Sequence, residues 1–154
     1  MKIAVSFDHR GAPVSPRLIA FVQSLGHERV EVPVCDGGSC DYPDMAYHVA
    51  RAVADGRADR GVLICSSGIG MSIAANKVHG VRAALIHDAQ GAEMSRRHND
   101  ANVICLSADG QKPEQLEEIL AVWLRTDFEG GRHARRVRKI GAIEAGGDPA
   151  SVKD

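Results

Sequence analysis

A cysteine ends a nearly continuous apolar run in this 154-residue chain, and a loop that contains two glycines follows it. The run is Gly61-Val62-Leu63-Ile64-Cys65, and the loop Ser66-Ser67-Gly68-Ile69-Gly70 leads into a helix-like segment. Such a loop lets backbone N–H groups approach a phosphate or the oxyanion of an enediolate. A cysteine beside it should carry more thiolate than an ordinary cysteine. The pattern alone is equally typical of a glycine turn next to a buried structural cysteine.

Other residues that can move protons lie near the ends of neighbouring elements. Asp8 and His9 follow the first strand-like run. His98 and Asn99 end the helix-like segment that precedes the last strand-like run. Ligands of open α/β sheets bind beyond the carboxyl ends of the strands, and we expect all four residues there, beside Cys65. Histidine and carboxylate groups at that edge can handle protons on sugar hydroxyls. A turn and a helix cap would use the same residues.

A basic segment near the end of the chain offers a phosphate-binding face. Arg132, His133 and Arg136 recur three or four residues apart and therefore share one side of a predicted helix. That side either faces solvent or binds a phosphate through paired guanidinium groups. A tyrosine-phosphatase loop is a different reading of Cys65, but it requires an arginine where this chain has Met71. We therefore reject phosphatase chemistry.

The elements around these residues alternate between two periodicities. Short β-rich runs cover residues 3–7, 30–34, 61–65, 81–86 and 102–106. Amphipathic helical stretches lie between them at about 15–25, 42–53, 70–76 and 89–97, and two more follow at 113–124 and from 130 through 143. This alternation predicts an α/β fold in which a parallel sheet has helices on both sides. We expect one domain over residues 1–144 and a flexible tail over 145–154.

Composition narrows the class of protein. The chain is 44% hydrophobic and 25% charged, with a net charge of −1, which is ordinary for a globular domain and argues against bulk nucleic-acid binding. We expect no membrane association, because the chain contains no apolar run of about 18 residues, and Met1 to Val5 reads as a strand rather than a signal peptide. Four cysteines, without a second metal-ligand pair, predict a reduced, cytoplasmic protein. They are Cys35, Cys40, Cys65 and Cys105.

Motifs along almost the whole chain resemble one family, the ribose-5-phosphate isomerases of type B and their galactose- and allose-6-phosphate isomerase relatives. The most specific match is the Cys65–Gly70 loop, which continues into Ser72-Ile73-Ala74-Ala75-Asn76-Lys77 and is followed later in the chain by His98-Asn99. The remaining matches are Phe7-Asp8-His9, Asp41-Tyr42-Pro43, Arg96-Arg97-His98-Asn99-Asp100-Ala101-Asn102 and Glu129-Gly130-Gly131-Arg132-His133.

The resemblance implies a fold, a reaction and roles for particular residues. The fold is a three-layer α/β/α, Rossmann-like domain with a five-stranded parallel sheet and a C-terminal helix. It forms a homodimer, sometimes a dimer of dimers, whose sites take residues from both subunits. The reaction is metal-independent aldose–ketose isomerisation of a four- to six-carbon sugar phosphate, with no cofactor. Cys65 moves the proton between C1 and C2, His98 assists ring opening with Asp8 nearby, and the Ser67 hydroxyl supports the proton transfers. The implied substrate-binding residues are His9, Tyr42, Ser66, Gly68, Ile69, Gly70, Asn99, Arg132 and Arg136.

Two positions depart from the family pattern. Ser66 stands where glycine is usual, and Asp109 stands where members often place a phosphate-binding arginine. A carboxylate repels a phosphate dianion, so either Asp109 points away or the substrate differs. If the carboxylate blocks the usual phosphate position, Asp109→Arg should improve turnover of ribose 5-phosphate. A non-catalytic sugar-phosphate binding protein on the same scaffold and a redox-sensing Cys65 are the alternatives, and the presence of both Cys65 and His98 favours the enzyme.

Overall fold

The computed structural model describes residues 1–153 and has the alternating element order that the sequence predicts. The elements in these residues are β1 (Lys2–Phe7), α1 (Ser15–Ser24), β2 (Glu28–Val30), α2 (Tyr42–Ala54), β3 (Arg60–Cys65), α3 (Ile69–Ala75), β4 (Ala83–Leu85), α4 (Ala89–Asn99), β5 (Val103–Ser107), α5 (Pro113–Arg125) and α6 (Arg132–Glu144). A 3₁₀ turn at Pro149–Ser151 follows α6 in the segment predicted to be a flexible tail.

The five strands form one parallel sheet in the order β2-β1-β3-β5-β4. Strand β3 lies at the centre between β1 and β5, and all six of its residues are buried. That burial on both faces explains its nearly continuous apolar sequence. The three-layer α/β/α fold with a five-stranded parallel sheet and a C-terminal helix is therefore confirmed.

Two hydrophobic clusters cover the two faces of the sheet. Val62 and Ile64 of β3 face the cluster built with α1 and α5, where Trp123 is completely buried. Leu63 and Cys65 point to the opposite face, against α2 and α3. Each large apolar side chain buried in this way contributes about 1.5–3 kcal/mol relative to an exposed one. Alternation along β3 therefore places the Cys65 side chain toward the α2 and α3 layer.

Strand β2 is shorter and begins earlier than the sequence predicted. It covers Glu28–Val30 instead of residues 30–34, and it pairs only with the first half of β1. Beyond it the chain contains Pro33, which has no N–H for a strand ladder. The Ser6 hydroxyl instead donates to the Pro33 carbonyl at 2.7 Å. The apolar run 30–34 therefore continues beside the sheet as irregular chain.

A disulfide joins Cys35 to Cys40 in the loop that leads into α2. The loop reverses direction and brings the two Cα atoms to 5.8 Å, within the range that a disulfide spans. The expectation that all four cysteines are reduced is wrong for this pair, whereas Cys65 and Cys105 are free thiols.

Within the described chain no helix has the length and apolar character that a membrane span requires.

Candidate active site

The loop after β3 folds around the sulfur of Cys65. The backbone N–H of Gly68 donates a hydrogen bond to Cys65 Sγ over 3.1 Å, and the side chain is almost completely buried. Gly68 adopts a φ of +75°, and a Cβ at this position would lie 2.5 Å from Leu85 Cδ1. Both the backbone conformation and the close approach therefore require glycine. The result is a cysteine whose sulfur accepts a hydrogen bond from a backbone N–H held in a fixed position.

The β1 side of this loop is held by Asp8. Its backbone N–H donates to the Ile64 carbonyl, and its Oδ1 accepts the N–H groups of Arg10 and Gly11 at 2.9 and 3.0 Å. A side chain on Gly11 would collide with the Ile64 carbonyl, so the turn lies directly against the end of β3. Asp8 is buried and His9, next in the chain, is exposed at the same edge.

The β5 side is held by hydrogen bonds from the segment after that strand. The N–H groups of Ala108 and Asp109 donate to the carbonyls of Cys65 and Ser66 at 2.9 and 3.1 Å. The Ser107 hydroxyl also donates to the Ser66 carbonyl, at 2.8 Å. These bonds fix the path of the chain at Ser66.

Asp109 forms an ion pair with Arg10. Arg10 Nη2 and Asp109 Oδ2 are 2.9 Å apart, and both side chains are about half exposed. Hydrogen bonds from Arg10 and Ser66 lower the pKa of the Asp109 carboxyl below its usual range, so the group is ionised at neutral pH. From the sequence alone, a carboxylate at position 109 is expected to repel a phosphate. In the structure this carboxylate is paired with the positive charge of Arg10.

Tyr42 and Ser67 complete this edge. The Tyr42 ring covers Gly70, where a Cβ would lie 2.5 Å from the ring. The Ser67 hydroxyl accepts the N–H of Ile69 at 3.3 Å. We call this set the carboxyl-edge cluster. Its members are Asp8, His9, Tyr42, Cys65, Ser66, Ser67, Gly68, Ile69 and Gly70.

His98 and Asn99 do not join Cys65 at this edge, contrary to the sequence expectation. Helix α4 starts beyond the carboxyl end of β4 and runs antiparallel to the strands, so its last residues lie at the amino end of β5. The Asn99 carbonyl there accepts a hydrogen bond from Arg82, just before β4. The four residue steps of β5 measure about 13 Å, so His98 and Cys65 of one chain lie at opposite edges of the sheet.

His98 belongs to a second group of candidate residues. The His98 and His133 rings stack with centroids 4.1 Å apart and an interplanar angle of 3°. Arg132 Nε donates to His133 Nε2 at 3.4 Å, and Arg97 pairs with Glu129 at 2.7 Å. Arg136 follows one turn further along α6. We call this set the amino-edge cluster. Its members are Arg97, His98, Asn99, Glu129, Arg132, His133 and Arg136.

His133 is uncharged at neutral pH. Burial of the ring is the main cause that lowers the pKa of His133 below its ordinary value, and the neighbouring His98 and Arg132 act in the same direction. A neutral imidazole can accept the Arg132 N–H and hold that guanidinium in place. The sequence had placed His133 on the basic face without assigning it a separate role.

The amino-edge cluster suits an anion better than a metal ion. Nitrogen or oxygen atoms of His98, Glu129 and His133 lie within 4.8 Å of one another. However, imidazole lone pairs lie in the ring plane, so two parallel stacked rings do not aim at one tetrahedral centre. The Glu129 carboxylate is already engaged by Arg97. Nearby guanidinium groups would repel a dication and attract a phosphate.

Sequence reasoning did not select Arg10 or Glu129 as site residues, and it gave His133 only a place on the basic face of α6. Arg10 directly follows Asp8 and His9 at a strand end, which was the available signal. His133 and Glu129 lie in a motif that the family resemblance had matched.

The fold and the carboxyl-edge cluster define a doubly wound α/β protein with a glycine-containing loop folded around a cysteine. Residues 3–140 match the family model described as Ribose/Galactose Isomerase. The chain therefore belongs to the ribose/galactose isomerase family and is an aldose–ketose isomerase.

Individual relatives cover most of the chain. Ribose-5-phosphate isomerase B of Escherichia coli (strain K12) is 41% identical over 143 residues, which span 93% of this chain and 96% of the relative. The D-erythrulose-4-phosphate isomerase of Pectobacterium atrosepticum is 50% identical over 103 residues, 67% of this chain and 68% of that protein. The structure of Clostridium thermocellum ribose-5-phosphate isomerase B superposes with a TM-score of 0.92 at 43% identity, covering 95% of this chain and 99% of that one.

Proposed function

We propose that the protein interconverts an aldose phosphate and a ketose phosphate without a metal ion, with Cys65 as the catalytic base. The observation that carries the proposal is the hydrogen bond from Gly68 N–H to Cys65 Sγ inside a loop of backbone donors. The substrate is ribose 5-phosphate or a related sugar phosphate of four to six carbons. Relatives named for a five-carbon and a four-carbon substrate support this range.

The reaction needs one base that serves both carbons. The Cys65 thiolate removes the proton from C2 of the open-chain aldose, and the electron pair of that C–H bond moves to the O1 carbonyl. Backbone N–H groups of the 66–70 loop that do not already donate to Cys65 or Ser67 stabilise the resulting cis-enediolate. Cys65 then returns the proton to C1, while the Ser67 hydroxyl transfers a proton from O2 to O1. A positioned base typically contributes about 10²–10⁴-fold, and an oxyanion donor about 3–4 kcal/mol.

A complete site requires two copies of the chain. The carboxyl-edge cluster and the amino-edge cluster lie at opposite edges of one sheet, so a symmetric dimer can place one against the other. We propose that His98 of one copy assists ring opening of the sugar held near Cys65 and Asp8 of the other. Asn99 and Tyr42 then contact the sugar.

The same pairing assembles the phosphate site. His9 lies at the carboxyl edge, while Arg132 and Arg136 lie on α6 at the amino edge. Exposed apolar side chains on α3 and α6 are suited to the contact between copies. They are Ile69, Ile73, Ile140 and Ile143. Ile73 and Ile143 are 58% and 60% exposed in the single chain, which is unusual for large aliphatic residues unless they are covered.

The test combines a substrate panel with paired cysteine variants. Aldose and ketose phosphates of four to six carbons, and the same sugars without phosphate, are incubated with the protein and their interconversion is followed. Cys65→Ala should reduce kcat by about 10²–10⁴-fold or more. Cys105→Ala is the matched control, because Cys105 is a buried free thiol on the adjacent strand.

The outcomes separate the two candidate functions. Loss of turnover in Cys65→Ala with retained sugar-phosphate binding supports the cysteine base. Wild-type turnover in Cys65→Ala contradicts the assigned base. Binding without turnover by the unmodified protein, across the whole panel, indicates the non-catalytic alternative.

A further inference from the structure

The Arg10–Asp109 ion pair bridges the mouth of the carboxyl-edge cluster. Arg10 follows β1 and Asp109 follows β5, and both strands flank β3 without touching each other. Two interstrand spacings separate β1 from β5 by about 10 Å, yet the side chains meet at 2.9 Å. The pair therefore crosses above the end of β3, over the loop that begins at Ser66.

Both ends of this bridge are anchored to the site. The Arg10 N–H donates to Oδ1 of Asp8, and the Asp109 N–H donates to the carbonyl of Ser66. The Asp109 carboxylate also accepts a hydrogen bond from the Ser66 side chain. The positions of both backbones are thus set by residues of the carboxyl-edge cluster, which is not expected of an incidental surface pair.

The guanidinium retains binding capacity in this arrangement. An arginine offers five N–H donors in a planar fork, and the contact with Asp109 uses Nη2. A carboxylate that holds one edge of the fork restricts its orientation, and the remaining donors match the geometry of a phosphate.

We propose that Arg10 binds the phosphate group of the substrate and that Asp109 positions its guanidinium. This proposal rests on the proposed function, and it names the residue beside the carboxyl-edge cluster that selects phosphorylated sugars. In this chain the phosphate-binding guanidinium beside the cysteine loop comes from the β1 side of the loop, and the residue after β5 supplies its counter-charge.

The experiment measures phosphate binding and catalysis separately. Isothermal titration with inorganic phosphate gives a dissociation constant for the unmodified protein and for Arg10→Met, which removes the charge but keeps the length of the side chain. We expect Kd to rise about 10- to 100-fold, the usual effect of losing charge-assisted hydrogen bonds. With a sugar phosphate, KM should rise by a similar factor while kcat stays within about threefold. Arg10→Lys should recover part of the loss, because it restores charge without the fork.

A matched control is available on the same molecule. Arg17 is also about half exposed and forms ion pairs with Glu114 and Glu117, away from the cysteine loop. Arg17→Met should leave Kd for phosphate and KM unchanged. An equal effect of Arg10→Met and Arg17→Met would show only a general loss of positive charge and would overturn the proposal.

The role of Asp109 is tested by a double-mutant cycle. The effect of Asp109→Asn on phosphate Kd should differ by about threefold or more between the unmodified and Arg10→Met backgrounds, because Asp109 acts through Arg10. The same effect in both backgrounds would contradict the positioning role.

The titrations also separate this proposal from the proposed function. If no sugar turns over and Arg10→Met still weakens phosphate binding, the isomerase proposal fails and the Arg10 site stands. If turnover is normal and phosphate Kd is unchanged in Arg10→Met, only the Arg10 proposal fails.

Discussion

Mixing two inactive variants tests whether the active site is divided between subunits. Cys65→Ala removes the proposed base from the carboxyl edge, and His98→Asn removes the proposed ring-opening group from the amino edge. Each variant alone should lose most activity, because every site in its homodimer lacks one group. After the two variants exchange subunits, one site of each mixed dimer contains an intact Cys65 and an intact His98, and the other site lacks both.

The expected recovery follows from the geometry. Cys65 and His98 of one chain are separated by at least the length of β5, about 13 Å, whereas acid–base groups must approach within about 3 Å of the reacting atoms. Random exchange at equal concentrations makes half of the dimers mixed, and each mixed dimer has one working site of two. Activity should therefore return to about one quarter of the wild-type value per chain.

The assay follows isomerisation of the best sugar phosphate from the panel before and after exchange, with different affinity tags to confirm mixed dimers. His98→Asn mixed with the unmodified protein is the control for exchange itself, and it should show no recovery beyond the wild-type share. Verified mixed dimers without recovered activity would refute a site that takes Cys65 and His98 from different subunits.

Three further outcomes are expected. Gly68→Ala should lower the free energy of unfolding by about 2–4 kcal/mol in urea titrations, since a positive φ and a leucine methyl both oppose a side chain at this position. Gly80 also has a positive φ, but a Cβ there would meet open space, so Gly80→Ala should lower the free energy of unfolding by only about 1–2 kcal/mol. Thiol titration of the unfolded, unreduced protein should detect the two free cysteines and find four after reduction, and opening the short Cys35–Cys40 loop should lower stability by roughly 2 kcal/mol. Burial lowers the pKa of His133, so below about pH 6.5 the unfolded chain takes up a proton on this residue more readily than the folded chain does. The free energy of unfolding should therefore fall between about pH 7 and 5 more steeply in the unmodified protein than in His133→Gln. Equal slopes in the two proteins would contradict the assignment of this pH dependence to His133.

The sequence by itself determined the parts of this protein that depend on local pattern. Period-2 and period-3.6 apolar spacing specified the alternating strands and helices, and the doubly buried β3 was readable from its continuous apolar run. The loop from Cys65 to Gly70 was recognisable because its features, a cysteine after a strand and two glycines before a helix, lie within six consecutive residues. Motif order along the chain then identified the family.

Only the tertiary structure decided which of those residues lie together. The direction of α4 placed His98 at the amino edge of the sheet, although its distance in sequence from Cys65 gave no sign of that separation. The contact between Arg10 and Asp109 joins positions 99 residues apart across an intervening strand. A sequence pattern reports the neighbours of a residue along its own element, whereas the packing of strands and helices brings distant residues together. The composition of the two clusters therefore follows from topology, and so does the proposal that a second copy of the chain unites them.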